Sequence, residues 1–272
     1  MNIFTVILTQ PLANGLILFY KALGGNMGLA IIGFSVFLRI ILSPLTKPYM
    51  DSMKKMKDIA PQLEKLKRRH IGDKVKLAKA QSDLYKERGI NPGAGCIPYL
   101  LQIVVLIAFF NVFSKTLYPN VDTLKSFNEL LYQPLRFQET QVINTKFLYL
   151  DIKKPDVINL GFLPFALPGP ILILAAIAQF VSAKMSAPFI EKEEELAKKT
   201  KANVDDMQVV MQQSMIYTFP LMTLLIGFKF PSGLAIYWLI FSILQVQQQY
   251  KSQGWGGLTP FIKRVGLIKS KN

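Results

Sequence analysis

In 272 residues with a net charge of +15, 51% are hydrophobic and only 18% charged, and the mean hydropathy is positive at +0.29. A cytosolic nucleic-acid binder would match the charge but not apolar runs such as the 18 residues from Gly28 to Leu45, so DNA is excluded as a partner. Apolar spans separated by basic loops produce this combination, and the chain is expected to be an all-α integral membrane protein.

No standard secretory signal is expected at the N-terminus, because Met1 to Leu8 lacks a positive n-region and no small-residue cleavage pattern follows an apolar stretch. Pro11 to Leu23 is apolar but too short to span alone. Residues 1–26 are therefore expected as an interfacial amphipathic segment ending in the Gly24-Gly25-Asn26 turn, a Pro-broken sixth span being the alternative. The first span, about 28–46, contains Arg39. A guanidinium at membrane depth costs at least about 2.5 to 3.5 kcal/mol, so by default it faces a protein interior or a water-filled cavity and marks a functional site. Snorkelling is the alternative, since Lys47 is roughly 12 Å further along a helix rising 1.5 Å per residue.

A cytoplasmic segment over 51–89 follows. Met53, Met56, Ile59, Leu63 and Leu66 recur at spacings of three and four, and Leu77, Ala80 and Leu84 resume the pattern after the His70-Ile71-Gly72-Asp73 turn, which predicts a two-helix coiled hairpin. Pro61 is expected to start a helix or kink the first arm. Lys54, Lys55, Lys57, Lys65, Lys67, Arg68 and Arg69 crowd its outer faces. Such runs are usually solvated; the functional reading is docking to acidic lipid headgroups or to RNA phosphate, as on a ribosome, with Lys263 and Arg264 of the tail as further candidates.

The second span is expected over about 97–114, the third over 160–183, the fourth over 214–230 and the fifth over 233–250. The loop from Leu117 to Asn159 is of mixed charge with Pro-containing turns and shows no chemistry. Glu191 to Lys201 pairs Glu before Lys at helical spacing and reads as a solvated helix. Phe230-Pro231-Ser232-Gly233 reads as a tight turn joining two short helices. Residues 251–272 form a short basic tail. Three segments assigned to one side of the membrane hold 23 of the 32 Lys and Arg residues, so the positive-inside rule predicts an N-out, C-in topology with five spans in the core, residues 27–250.

The catalytic inventory is nearly empty. One His (His70) and one Cys (Cys96) cannot form a metal cluster or an internal disulfide, and no carboxylate lies within a span. Ser35 or Ser43 would need a base, and the spans offer none apart from Lys229 at the far edge, so an enzyme is not expected. Amide and aromatic polarity is scattered instead: Gln102, Gln179, Gln212, Gln213, Tyr237, Trp238 and Gln245 could line a cavity with Arg39, or act singly as packing glue between helices. A small-solute transporter or channel is the second function class, though it should show inverted repeats or intramembrane carboxylates. A membrane-embedded hydrolase is the third.

The segments from Gly28 through Leu38-Arg39-Ile40 to Ser43-Pro44-Leu45-Thr46, then Leu84-Tyr85-Lys86 with Ile90-Asn91-Pro92-Gly93-Ala94-Gly95-Cys96-Ile97-Pro98-Tyr99-Leu100-Leu101-Gln102, and Phe230-Pro231-Ser232-Gly233-Leu234-Ala235-Ile236-Tyr237-Trp238, resemble the YidC/Oxa insertases over about residues 11–250. The resemblance implies five transmembrane helices around a hydrophilic groove, open to the cytoplasm and to lipid, through which short hydrophilic segments of nascent membrane proteins pass while hydrophobic segments move into lipid. By position it assigns Arg39 to attract acidic substrate residues, with Gln179, Trp238, Gln102 and Tyr237 as further groove lining. It implies a multi-pass protein of the cell inner membrane, with membrane lipids as partners, the ribosome and the Sec translocon as further candidates, and no nucleotide, metal or other cofactor. Compared with that family, the chain is expected to be without the large outer domain of some members and without the lipobox Cys of others, since Cys96 lies far from Met1.

Overall fold

The computed structural model describes residues 3–70, 72–91, 97–118, 121–162, 164–186 and 204–266. The expected Glu191–Lys201 helix, most of the Asn91 to Cys96 motif and the end of the basic tail lie outside these residues. The architecture is mostly helical, and the chain divides into two compact units, one formed by Met1–Leu42, Leu100–Gln179 and Phe219–Leu244, the other by Ser43–Tyr99, Phe180–Thr218 and Gln245–Asn272.

In the first unit, α1 (Gln10–Ala22) follows a π-helical turn over Thr5–Thr9 and buries Leu12, Ala13, Leu16, Ile17 and Tyr20, the three-and-four spacing of one helical face. It lies tightly on α2 (Met27–Arg69), since a Cβ at Gly15 would stand 2.5 Å from the Phe34 ring. Asn26 caps α2, its Oδ1 accepting from the Leu29 N–H at 3.1 Å. In α4 (Ile97–Thr116), Val105, Ala108, Phe109, Val112 and Phe113 turn inward, whereas Leu100, Ile103, Val104, Ile107 and Phe110 are exposed. The outward face is thus as apolar as the inward one. Water would penalise that arrangement and a bilayer rewards it. The same holds for α6 (Pro170–Ser186), with Ile173, Leu174 and Ile177 exposed, and for α7 (Val204–Gly227), with Leu221, Met222 and Leu225 exposed. By length and composition α2 can cross a membrane over Met27–Met56, and the apolar stretches Leu100–Thr116, Pro170–Ser186 and Ile216–Gly227 are shorter.

The segment between α4 and α6 is more ordered than its sequence indicated. It forms α5 (Thr123–Leu130), capped by Asp122, and two short antiparallel hairpins, β1 (Lys146–Phe147) with β2 (Leu150–Asp151) and β3 (Val157–Ile158) with β4 (Leu167–Pro168). Asn14 ties α5 to α1, its Nδ2 donating to the Leu130 carbonyl at 3.0 Å and its Oδ1 accepting from the Tyr132 N–H at 2.7 Å. The second hairpin corrects the helix boundary expected at 160: the helix begins only at Pro170. Pro164, Pro168 and Pro170 lack the N–H a helix interior needs, and Pro170 suits a first helical position, so the apolar residues before it become strand and turn.

In the second unit, α2 continues without a break through the first arm of the hairpin, so no helix end separates residues 46 and 51. Pro44, Pro48 and Pro61 all lie inside this helix, and each removes one backbone hydrogen bond without ending it. The turn at His70 leads into α3 (Lys74–Glu87), whose N-cap Asp73 accepts from the Lys76 N–H at 3.1 Å. Backbone donation from Lys76 holds the Asp73 carboxyl below its ordinary range, helped by the Lys76 side chain at 2.9 Å. Ile59 is buried and Met56, Leu63, Leu66, Leu77, Ala80 and Leu84 are half-buried, so the periodic face does turn inward. The last long helix, α8 (Ser232–Gln253), follows a turn over 228–231 and precedes the short α9 (Thr259–Arg264).

Candidate functional site

Arg39 lies on α2 in the first unit, partly exposed, with its guanidinium carbon 4.6 Å from the centroid of the Phe241 ring on α8. Four residues before Phe241, one helical turn, Tyr237 is fully buried, and the two rings are 5.8 Å apart. Tyr237 stacks on Phe109 of α4 with centroids 4.4 Å apart and an interplanar angle of 28°, and its hydroxyl donates to Gln102 Oε1 at 3.4 Å. Phe109 in turn faces Phe34 at 5.9 Å. One cation, one phenol and one amide from three helices therefore share a single aromatic cluster inside an apolar unit.

Of the other two expected groove residues, Gln179 bonds elsewhere, while Trp238 is buried in the same apolar core as Tyr237 and Phe109. Gln179 Oε1 accepts from Thr223 Oγ1 at 2.7 Å, a bond between α6 and α7. Trp238 follows Tyr237 on α8 and is 7% exposed. Sequence reading missed Phe241, although its position one turn from Tyr237 was the available signal, and missed Thr223, a hydroxyl within an apolar run.

A second polar cluster belongs to the other unit and was not foreseen. Ser182 donates to Gln249 Oε1 at 3.2 Å, Gln249 Nε2 donates to Ser186, and Gln248 Nε2 donates to Thr46 Oγ1 at 3.1 Å. Thr46, Ser182, Ser186 and Gln249 are all buried, so these bonds satisfy groups that would otherwise be costly to desolvate. Gln249 ends a Gln-rich stretch at the end of the expected fifth span, and only packing shows that this member turns inward.

Of the basic residues on the hairpin, Lys54, Lys55, Lys65, Arg68 and Arg69 are exposed, as is Arg264 of the tail, while Lys57, Lys67 and Lys263 fall outside the described side chains. Lys55 donates to the Gly89 carbonyl at 3.3 Å and Arg88 to Gln62 at 3.2 Å, linking the two arms. Among the described residues no group of His, Cys, Asp and Glu is arranged to hold a metal ion.

Residues 18–254 match the family described as 60Kd inner membrane protein. The chain is 30% identical over 226 residues to the Membrane protein insertase YidC of Fusobacterium nucleatum subsp. nucleatum, covering 83% of this chain and 85% of that protein. It is 34% identical over 236 residues to the protein of that name from Shewanella sp. (strain MR-7), covering 86% and 35%, and 33% identical over 255 residues to that of Roseobacter denitrificans, covering 91% and 37%. The chain thus spans most of the first relative and little over a third of the other two. With a family match running through the first apolar helix, the hairpin and the aromatic cluster, the chain belongs to the 60Kd inner membrane protein family, that of the YidC/Oxa insertases.

Proposed function

We propose that this protein is a multi-pass inner-membrane insertase and chaperone with five spans, N-out and C-in. It passes short hydrophilic segments of nascent membrane proteins through a cytoplasm-open groove and releases their hydrophobic segments into lipid. Arg39, Gln102, Tyr237, Gln179 and Trp238 line the groove in this reading. The observation that carries it is the placement of Arg39 in the long apolar helix, over Phe241, within one cluster with Tyr237 and Gln102. A fixed positive charge in low dielectric attracts an acidic substrate residue more strongly than it would in water. Water reaching part-way across removes much of the desolvation penalty of a translocating polar tail. Hydrophobic segments need no such help, because lipid already favours them.

The exposed basic residues of the hairpin and tail serve in this reading as docking sites for lipid headgroups or a ribosome, with the Sec translocon as a further partner. The reaction is physical transfer, and it requires no cofactor. The test is insertion of an acidic-tailed substrate in cells depleted of the native protein. Arg39→Ala is expected to slow insertion severalfold and Arg39→Lys to retain most of it, since charge rather than a bidentate fork does the attracting. Normal insertion by the Ala variant would remove the electrostatic step.

A further inference from the structure

The hairpin β1–β2 is pinned to the first turns of two apolar helices at once. At α2, the Met27 N–H donates to the Asn144 carbonyl at 3.1 Å, Asn26 Nδ2 donates to the Lys146 carbonyl at 3.0 Å, and Phe147 lies so close to Gly28 that a Cβ there would clash with its ring. At α6, the Ile171 N–H donates to the Tyr149 hydroxyl at 3.1 Å, and that hydroxyl donates to Asp156 Oδ1 at 3.1 Å. Asp156 also accepts from the Leu172 N–H at 2.8 Å through its other oxygen. The hairpin is therefore held at the level where both helices begin. The second hairpin runs through Gly169 directly into α6, so its strands β3 and β4 lie beside the start of that helix, with Phe162 and Phe165 in the connection between them.

Both tips present large apolar side chains to the outside. Leu148 is 78% exposed and Tyr149 58%, and Phe162 and Phe165 are 80% and 60% exposed. Leu148 has φ +51°, which makes it the non-glycine residue in the left-handed region among those described. Glycine would hold that turn without the strain, about 1–2 kcal/mol for an L-residue, so the isobutyl group occupies the position at a cost in backbone energy. Four such side chains in water at the end of a soluble loop would be an aggregation liability.

We propose that these two tips form a lipid anchor: Leu148, Tyr149, Phe162 and Phe165 enter the boundary between headgroups and acyl chains beside the first turns of α2 and α6. Aromatic and branched apolar side chains favour that zone, where an apolar body and a polar edge are both accommodated. The four side chains carry no charge, so the attraction they supply is apolar burial and not pairing with acidic lipids. A zwitterionic bilayer is the committed partner. This inference rests on the reading that α2 and α6 cross a membrane.

The experiment places single nitroxides on the full chain in phosphatidylcholine vesicles, in a Cys96→Ser background, using Leu148→Cys, Phe162→Cys, Lys125→Cys on the exposed side of α5 and Ile177→Cys on the exposed side of α6. Collision with oxygen, which partitions into lipid, is compared with collision with a water-soluble nickel complex. The oxygen-to-nickel ratio at 148 and 162 is expected to be severalfold that at 125. Ratios at 148 and 162 equal to that at 125, or shielding of both positions from both reagents, would overturn the anchor. A high ratio at 177 in that case leaves the membrane reading of α6 standing, whereas a ratio at 177 as low as that at 125 defeats both.

Discussion

The ring of Phe241, 4.6 Å from the guanidinium of Arg39, offsets part of what it costs to keep that charge in an apolar helix. A cation–π contact contributes about 0.5–2 kcal/mol, against at least about 2.5–3.5 kcal/mol for arginine at membrane depth. The remainder calls for polar surroundings. Tyr237 and Gln102 lie within the same cluster, and a low-dielectric environment makes each polar partner there worth more. Replacing Phe241 by Leu keeps apolar volume and removes the π-face. A double-mutant cycle of Phe241→Leu with Arg39→Ala, read by thermal unfolding in detergent, is expected to give a coupling of about 0.5–1 kcal/mol. Additive effects would show that the contact contributes nothing. Gln249 makes the complementary point: 1% exposed and bonded to both Ser182 and Ser186, it is a buried amide with its partners supplied by another helix.

At the scale of elements, the hairpin and the outer strands should respond to different variables. Between residues 51 and 89, Ile59 is the one fully buried side chain among those described, so few apolar contacts oppose local opening. Amides of α3 are expected to exchange with deuterium well before those of α4, whose inward face buries Val105, Ala108, Phe109, Val112 and Phe113. Equal protection of the two helices would contradict this. The β1–β2 hairpin depends on pH. Burial pushes the Asp151 carboxyl up, but hydrogen bonds from Thr145, the Lys146 side chain and the Lys153 N–H outweigh it and hold the carboxyl below its ordinary 3.8. A lowered folded value means that the stabilisation is complete above 3.8 and is lost as pH falls from there through the folded value. Protection of amides 146–151 should therefore stay flat from neutral pH to about 5 and fall only in stronger acid; a decline already at pH 6 would assign the hairpin to other groups.

For the whole molecule the decisive quantity is sidedness. With 23 of 32 basic residues in three segments assigned to the cytoplasm, a reporter after residue 250 is expected inside the cell and one near Asn128 outside. Reversed labelling would overturn the five-span arrangement and, with it, the direction of the groove. The outward faces of α4, α6 and α7 are apolar, as a lipid surrounding would favour. They make no statement about which end is which, and that is why the charge distribution has to be tested separately.

The apolar runs, the turn before Ser232 and the inward face of the hairpin were all legible in one dimension, because helical periodicity and Pro/Gly punctuation are local properties of the chain. Three things required the tertiary structure. The run from Leu160 carries enough hydrophobicity for a helix, yet its prolines and the pairing of β3 with β4 delay the helix to Pro170. Pro61 reads as the start of a helix or a kink in the first arm, but one helix runs through Pro44, Pro48 and Pro61. Which amides act together was also undecided: Gln102 joins Tyr237, Gln179 joins Thr223, and Gln249 joins two serines. Hydrogen-bond partners more than 40 residues apart are chosen by how the helices pack, and no pattern along the sequence encodes that choice.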